Sequence, residues 1–242
     1  MLIAIRIPLI LIWVIFSTTC GIVVSIFRPF NPKNIKVTTD LLKYGRFILG
    51  IKLILRHPEI ADQNRPCVFV SNHQDNLDIF PGAFCLPERT VSIGKRNILW
   101  IPFFGIYYWL SGNILINRKN KRSAFETMDV AAKTIKEKNI SVWIMPEGTR
   151  SKGRGLLPFK KGPFITAIKA DVPIVPYAWS NYVKLINLNK WDAGTILMEI
   201  LPPVSTKGLT VNDATELKDR VHAMMKDAIA RLDAEVATMY RE

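Results

Sequence analysis

His73 stands in the stretch Ser71-Asn72-His73-Gln74-Asp75-Asn76-Leu77-Asp78, directly after the apolar run Cys67 to Val70. An imidazole takes up a proton near neutral pH, and it does so best when a carboxylate holds its other ring nitrogen. Residues five apart on one regular helix diverge by about 140°. His73 and Asp78 therefore meet only across a turn, with His73 in a strand-to-helix loop and Asp78 on the first helical turn. Taken alone, such a spacing more often marks a plain loop histidine and a capping aspartate, so further residues are needed. They stand at Glu147-Gly148-Thr149-Arg150, followed by Ser151-Lys152-Gly153-Arg154-Gly155. Five basic residues lie between Arg150 and Lys161 with no acid among them. The planar guanidinium of arginine donates two parallel hydrogen bonds to phosphate oxygens, so this segment can cradle a phosphate. A solvated basic loop is the competing reading. Glu147 speaks against it, because a carboxylate beside a phosphate-binding arginine needs a purpose, such as orienting that arginine or closing the site on a backbone donor. The segment also grazes the P-loop pattern, but Arg154 replaces its lysine and Gly155 its Ser or Thr, so a nucleotide site is rejected. From Ile98 to Leu110 the chain carries six aromatics and no charge. Such a stretch is core by default, yet beside a membrane it can line a groove for an aliphatic chain, with Lys95 and Arg118 flanking the polar end.

The elements that must position these groups alternate. Cys67 to Ser71, Thr90 to Ile93, Ile114 to Ile116, Ile140 to Met145, Val172 to Tyr177 and Ile196 to Leu201 read as strands, separated by longer helical stretches: an α/β layout with one mostly parallel sheet flanked by helices. Ser123 with Glu126 forms a capping box for a helix carrying Ala124, Met128, Ala131 and Ile135 on one face, and Asp213 with Glu216 opens a C-terminal helix striped by Leu217, Val221, Met224, Ala228 and Leu232. At the other end, Ile7 to Phe27 is a run of 21 residues without a charge, enough for a helix to cross a hydrocarbon core, with Trp13 as an interfacial ring. A cleaved signal peptide competes, but the run is long for one, and Ser17-Thr18-Thr19-Cys20 lacks the leucine of a lipoprotein signal. Arg28, Lys33, Lys36, Lys43 and Arg46 follow the run and only Arg6 precedes it, so the positive-inside bias puts the body in the cytoplasm. Pro29 and Pro32 end this helix, and a second one is expected from Thr38 to Leu49, stopped by Gly50 and lying along the leaflet surface.

The whole chain of 242 residues is 49% apolar and 22% charged with a net charge of +13, at a mean hydropathy of +0.15. That excludes a disordered basic arm and a polytopic membrane protein, and favours anionic partners. Nucleic acid is disfavoured, because only Phe159 interleaves the basic clusters as a stacking aromatic. Cys20, Cys67 and Cys85 have no CxxC spacing, so neither disulfides nor a metal site is expected, and no cofactor is called for.

Asn72-His73 with Asp78, Gly112 to Arg118, Glu147 to Arg150 and Val172-Pro173-Ile174-Val175-Pro176 stand in the order and spacing of the four motifs of the glycerolipid acyltransferases, a block of 105 residues. The chain resembles that family, and the anchor, the run Leu99 to Gly105 and Gly153 to Lys160 extend the likeness. The resemblance implies a single α/β acyltransferase domain over residues 51–242 on an N-terminal two-helix membrane anchor over residues 1–50. It implies acyl transfer from an acyl thioester, carried by acyl-carrier protein or coenzyme A, to the sn-2 hydroxyl of lysophosphatidate at the cytoplasmic face of a bacterial inner membrane. His73 would be the base and Asp78 its orienting acid. Arg118, Arg150 and Lys95 would contact the phosphate, Glu147, Gly148 and Thr149 would shape the same pocket, and Val172 to Pro176 would floor it. A thioester is already activated, so no acyl-enzyme is required, and no GxSxG elbow occurs. Asn117 stands where the family commonly has Asp, and Tyr177 where a smaller aliphatic residue is common. Transfer to another lysolipid or to glycerol 3-phosphate is the near alternative; a noncatalytic basic membrane module is the distant one.

Overall fold

The structure is a computed structural model that describes residues 1–117 and 121–240, without the side chains of residues 121–125. Its apolar runs become seven strands: β1 (Ile51–Arg56), β2 (Val68–Ser71), β3 (Thr90–Lys95), β4 (Ile114–Ile116), β5 (Ser141–Ile144), β6 (Ile174–Trp179) and β7 (Gly194–Ile200). They form one sheet in the order β1-β7-β6-β2-β5-β3-β4. Among the described residues, all neighbours are parallel except β6 and β7. The carboxyl ends of β2, β3, β4, β5 and β6 therefore share one edge, where open α/β sheets bind their ligands. Six strands coincide with the expected runs. β1 was not foreseen: Lys52 and Arg56 interrupt its apolar pattern, and it is an edge strand with β7 alone beside it.

Alternation along the strands divides the core in two. Val68 and Val70 of β2 face one layer and Phe69 the other. The first layer is covered by α7 (Lys121–Lys138), α8 (Gly162–Ala170) and α9 (Ala214–Met239). The second is covered by α1 (Leu2–Phe27), α3 (Gly45–Leu49), α4 (Pro58–Gln63) and α5 (Ile79–Cys85), with α2 (Asn34–Leu42) and α6 (Phe104–Leu110) packed against α1. In α7, Met128, Ala131 and Ile135 are buried, while Ser123 and Ala124 lie among the side chains outside the described set. In α9, Leu217, Val221, Ala228 and Leu232 are buried as the spacing requires, with Met225 in place of Met224. The capping box sits one short turn earlier than expected: the Asp213 carboxylate accepts from the backbone N–H of Thr210 at 2.7 Å and from its hydroxyl at 2.8 Å.

Residues 1–50 correct the two-helix expectation. The stretch Thr38 to Leu49 is not one helix: α2 ends at Leu42 and α3 begins at Gly45, where a Cβ would lie 2.5 Å from the Phe80 ring of α5. Gly50, at φ 67°, closes α3. α1 is long and apolar enough to cross a bilayer, with a mean hydropathy of 2.4, yet it is seated on the body. Arg6, Ile10, Ser17, Thr18, Gly21 and Ser25 are buried, whereas Leu11, Ile12, Phe16, Val23, Ile26 and Phe27 are exposed. The helix thus turns its small polar residues towards α2, α3 and α6 and its apolar residues outward. Trp13 is a docking contact, donating from Nε1 to the Leu41 carbonyl at 3.0 Å. Arg6, 5% exposed, donates to the carbonyls of Leu188, Lys190 and Trp191 at 2.9, 2.6 and 2.8 Å.

Candidate active site

β2 delivers Ser71 to the carboxyl edge, and the chain then turns sharply into a short helical turn over Asn76–Asp78. Two side chains fix that turn to the end of β6 and the segment that follows it. Asn72 donates to the Trp179 carbonyl and accepts from the Trp179 N–H, both at 2.9 Å. The Gln74 amide donates to the Ser180 carbonyl at 2.8 Å and accepts from the Tyr182 N–H at 3.1 Å. Both amides are buried, so each replaces water by one backbone acceptor and one backbone donor.

His73 and Asp78 meet across this turn, with Nδ1 2.6 Å from Oδ2. A carboxylate only accepts, so Nδ1 carries the proton and Nε2 keeps its lone pair. Among the described residues Nε2 has no hydrogen-bond partner, and the ring is 20% exposed. Asp78 Oδ2 also accepts from the N–H groups of Gln74 at 2.7 Å and Asp75 at 3.2 Å, and Oδ1 accepts from the Tyr182 hydroxyl. The carboxylate is buried but saturated, and its four hydrogen bonds hold it against the imidazole.

The loop after β5 closes on the same turn. Glu147, 3% exposed, accepts from the His73 N–H at 2.6 Å and from the Leu157 N–H at 3.0 Å, joining both ends of the loop to His73. Ser151 donates its N–H to the His73 carbonyl at 2.8 Å and Lys152 to that of Gln74 at 3.0 Å. Burial pushes the Glu147 carboxyl up to about 7, against the pull of the two amides and of the His73 charge. Gly148 takes φ 71°, a conformation that costs glycine little, and Thr149 and Arg150 face solvent. Arg150 is near enough to Tyr182 to ease its ionisation, although burial and the Asp78 charge hold that phenol protonated. Lys95 is exposed at the end of β3, paired in register with Ile116 at the end of β4; Arg118, two residues on, lies outside the described residues. Among the described residues neither Lys95 nor Arg150 hydrogen-bonds to the His73–Asp78 pair. Val172 to Pro176 leads into β6, which runs beside β2 with Val70 opposite Pro176. Tyr177 is fully buried, its ring against Phe69 and Trp143.

The sequence singled out His73, Asp78 and Glu147, which the fold brings into one hydrogen-bonded unit. It did not single out Tyr182, which is 104 residues from Asp78 and sits in a loop without a recognisable pattern. Asn72 and Gln74 flank His73, but their partners are backbone groups that no spacing reveals. Among the described residues no group of three His, Cys, Asp or Glu is arranged to hold a metal ion. The Cys67 thiol is pushed up to about 12 by burial and Cys85 is raised by burial too, so neither is a nucleophile.

A protein-family model described as Acyltransferase matches residues 52–180. The 1-acyl-sn-glycerol-3-phosphate acyltransferase of Haemophilus influenzae is 41% identical over 239 residues, 98% of this chain and 99% of that protein. The protein of the same name from Escherichia coli is 38% identical over 239 residues, 98% and 97% of the two chains. The human 1-acyl-sn-glycerol-3-phosphate acyltransferase alpha is 37% identical over 216 residues, 88% of this chain and 76% of that one. Among solved structures, the 1-acyl-sn-glycerophosphate acyltransferase from Thermotoga maritima has the same fold, with a TM-score of 0.72 at 24% identity over 96% of this chain and 98% of that one.

Proposed function

The chain belongs to the acyltransferase family, and on that premise we propose that it transfers an acyl group from an acyl thioester to the sn-2 hydroxyl of 1-acyl-sn-glycerol 3-phosphate, giving phosphatidate. The observation that carries the chemistry is the imidazole of His73, bound through Nδ1 to a saturated carboxylate and open at Nε2. Nε2 removes the proton of the sn-2 hydroxyl as its oxygen attacks the thioester carbonyl. The tetrahedral adduct collapses, the carbon–sulfur bond breaks, and the departing thiolate takes the proton from the imidazolium. Asp78 stabilises that imidazolium and holds the ring in the productive tautomer. No group on the protein is acylated.

Arg150, Lys95 and Arg118 are proposed to hold the acceptor's phosphate, with Glu147, Gly148 and Thr149 fixing the loop that presents Arg150. The exposed cations Lys152, Arg154, Lys160 and Lys161 on the same loop suit an anionic donor, either coenzyme A or an acidic carrier protein. A lipid acceptor is favoured over glycerol 3-phosphate by the exposed apolar face of α1, which continues over Trp100, Ile101, Phe103, Ile106 and Trp109. α1 is tied to the body at both ends, by Arg6 and by the bond from the Phe30 N–H to the Leu110 carbonyl at 2.8 Å. It is therefore proposed to lie in one leaflet of the bacterial inner membrane, with the catalytic edge on the cytoplasmic side.

The test is product identification by mass, using detergent-purified protein, lysophosphatidate or glycerol 3-phosphate as acceptor, and acyl-carrier-protein and coenzyme A thioesters as donors. His73→Ala should lose about 10²-fold or more of kcat. A His73→Ala protein that kept more than about a tenth of wild-type turnover would sink base catalysis. Product from glycerol 3-phosphate but not from lysophosphatidate would reassign the acceptor.

A further inference from the structure

We infer that Tyr182 is a positioning residue that sets how firmly Asp78 holds the catalytic imidazole. The inference rests on His73 being the base. Asp78 spends one oxygen on three donors: Oδ2 takes His73 Nδ1 and the N–H groups of Gln74 and Asp75. Its other oxygen, Oδ1, accepts from the Tyr182 hydroxyl. Both residues are buried, at 3% and 1% exposure, so no bulk water stands ready to replace that donor, and an unpartnered carboxylate oxygen there carries a desolvation cost. The hydroxyl is held to its task from two directions. The backbone N–H of Tyr182 is pinned to Gln74 Oε1, and the segment before it is bound to Asn72 and Gln74 through Trp179 and Ser180. The loop after β6 thus grips the turn after β2 with backbone groups and then places one side chain on the carboxylate.

The charged and titratable groups around the carboxylate are His73 and Asp75 from its own turn, Tyr182 from the β6–β7 loop, and Glu147 and Arg150 from the β5–α8 loop. With the phenol kept protonated by burial and by the Asp78 charge, Tyr182 acts as a neutral donor throughout the working range. It withdraws charge from the carboxylate and so moderates the hold of Asp78 on an imidazolium. Without the hydroxyl, the carboxylate directs its full charge at Nδ1, the imidazolium is held more tightly, and the base becomes available only at higher pH.

The test compares wild type, Tyr182→Phe, and protein carrying 2,3-difluorotyrosine at position 182, each in detergent with lysophosphatidate and a saturating thioester. Tyr182→Phe keeps the ring and therefore the packing. Its kcat should fall about tenfold, one hydrogen bond's worth, with the acceptor KM unchanged and the acid limb of the kcat/KM profile moved to higher pH. The fluorinated phenol is a stronger donor of nearly the same shape and should move that limb to lower pH. If both proteins gave the wild-type profile while His73→Ala was inactive, Tyr182 would have no positioning role and the base assignment would stand. A Tyr182→Phe protein whose activity fell only in step with its thermal midpoint, at an unmoved profile, would make Tyr182 merely structural and overturn the inference. An active His73→Ala protein would overturn the base assignment and this inference with it.

Discussion

Glu147 answers a question its sequence neighbours pose, namely why a carboxylate stands in a loop otherwise rich in arginine and lysine. Its two oxygens accept the N–H groups of His73 and Leu157, so it is a buried tie between the His73–Asp78 turn and the far end of the basic loop. Burial raises its carboxyl from 4.5 to about 7. A raised acid stabilises the fold most below its unfolded value, and that contribution is lost as pH rises through the folded one. The thermal midpoint of the detergent-solubilised protein should therefore decline between about pH 5 and about pH 7, and Glu147→Gln should flatten that decline. Glu147→Gln also sets an amide NH₂ against a backbone N–H, at a cost of about 1–3 kcal/mol. Equal pH dependence in the two proteins, measured by thermal unfolding, would remove Glu147 as its source. At Arg150 the guanidinium is exposed, and Arg150→Lys should raise the acceptor KM more than the donor KM, because a point charge does not reproduce bidentate contact with phosphate. Unchanged kinetics with both substrates would take Arg150 out of phosphate binding.

Strands were easier to read than the helices that cover them. β2, β5 and β6 are buried on both faces, and such strands announce themselves as continuous apolar runs. β1 carries two cations in six residues and gives no such signal. The pairing of His73 with Asp78 was legible because both ends lie in one short segment. Tyr182 was not, because its place depends on β6 lying beside β2. α1 shows a different limit: hydropathy marks it as apolar, but only the fold reveals that Ser17, Gly21 and Ser25 form its protein-facing stripe. Close packing on that stripe is testable at Gly21, where an added Cβ would lie 2.0 Å from Thr38 Oγ1 and 2.7 Å from the Tyr107 ring. Gly21→Ala should therefore lift α1 from α2 and α6 and cost about 1–3 kcal/mol, seen as a lower thermal midpoint. A midpoint equal to wild type would mean that α1 is not packed there.

The apolar outer face of α1 and the aromatic run through Trp109 together give the molecule one side suited to lipid. Glutamate at two outward positions, Ile12→Glu with Ile26→Glu, leaves the protein-facing stripe intact and should abolish flotation with phosphatidylglycerol-containing vesicles. Activity on detergent-dispersed lysophosphatidate should persist. Full flotation of the double variant would show that membrane binding lies elsewhere. Deleting residues 1–27 is a different operation, since it removes Ile10 from the core and Arg6 from three carbonyls, and it should yield aggregated protein in place of a soluble enzyme. The Arg6 contacts bear on how the chain is made. Their partners lie 182 to 185 residues downstream, and β1 likewise waits for β7, with Ile51 opposite Gly194. A ribosome releases α1 first, long before the loop that seats it has been synthesised. On the proposed placement of α1 in a leaflet, the bilayer would be the apolar surface at hand during that interval, so the nascent helix would meet lipid first and the body would assemble beneath it.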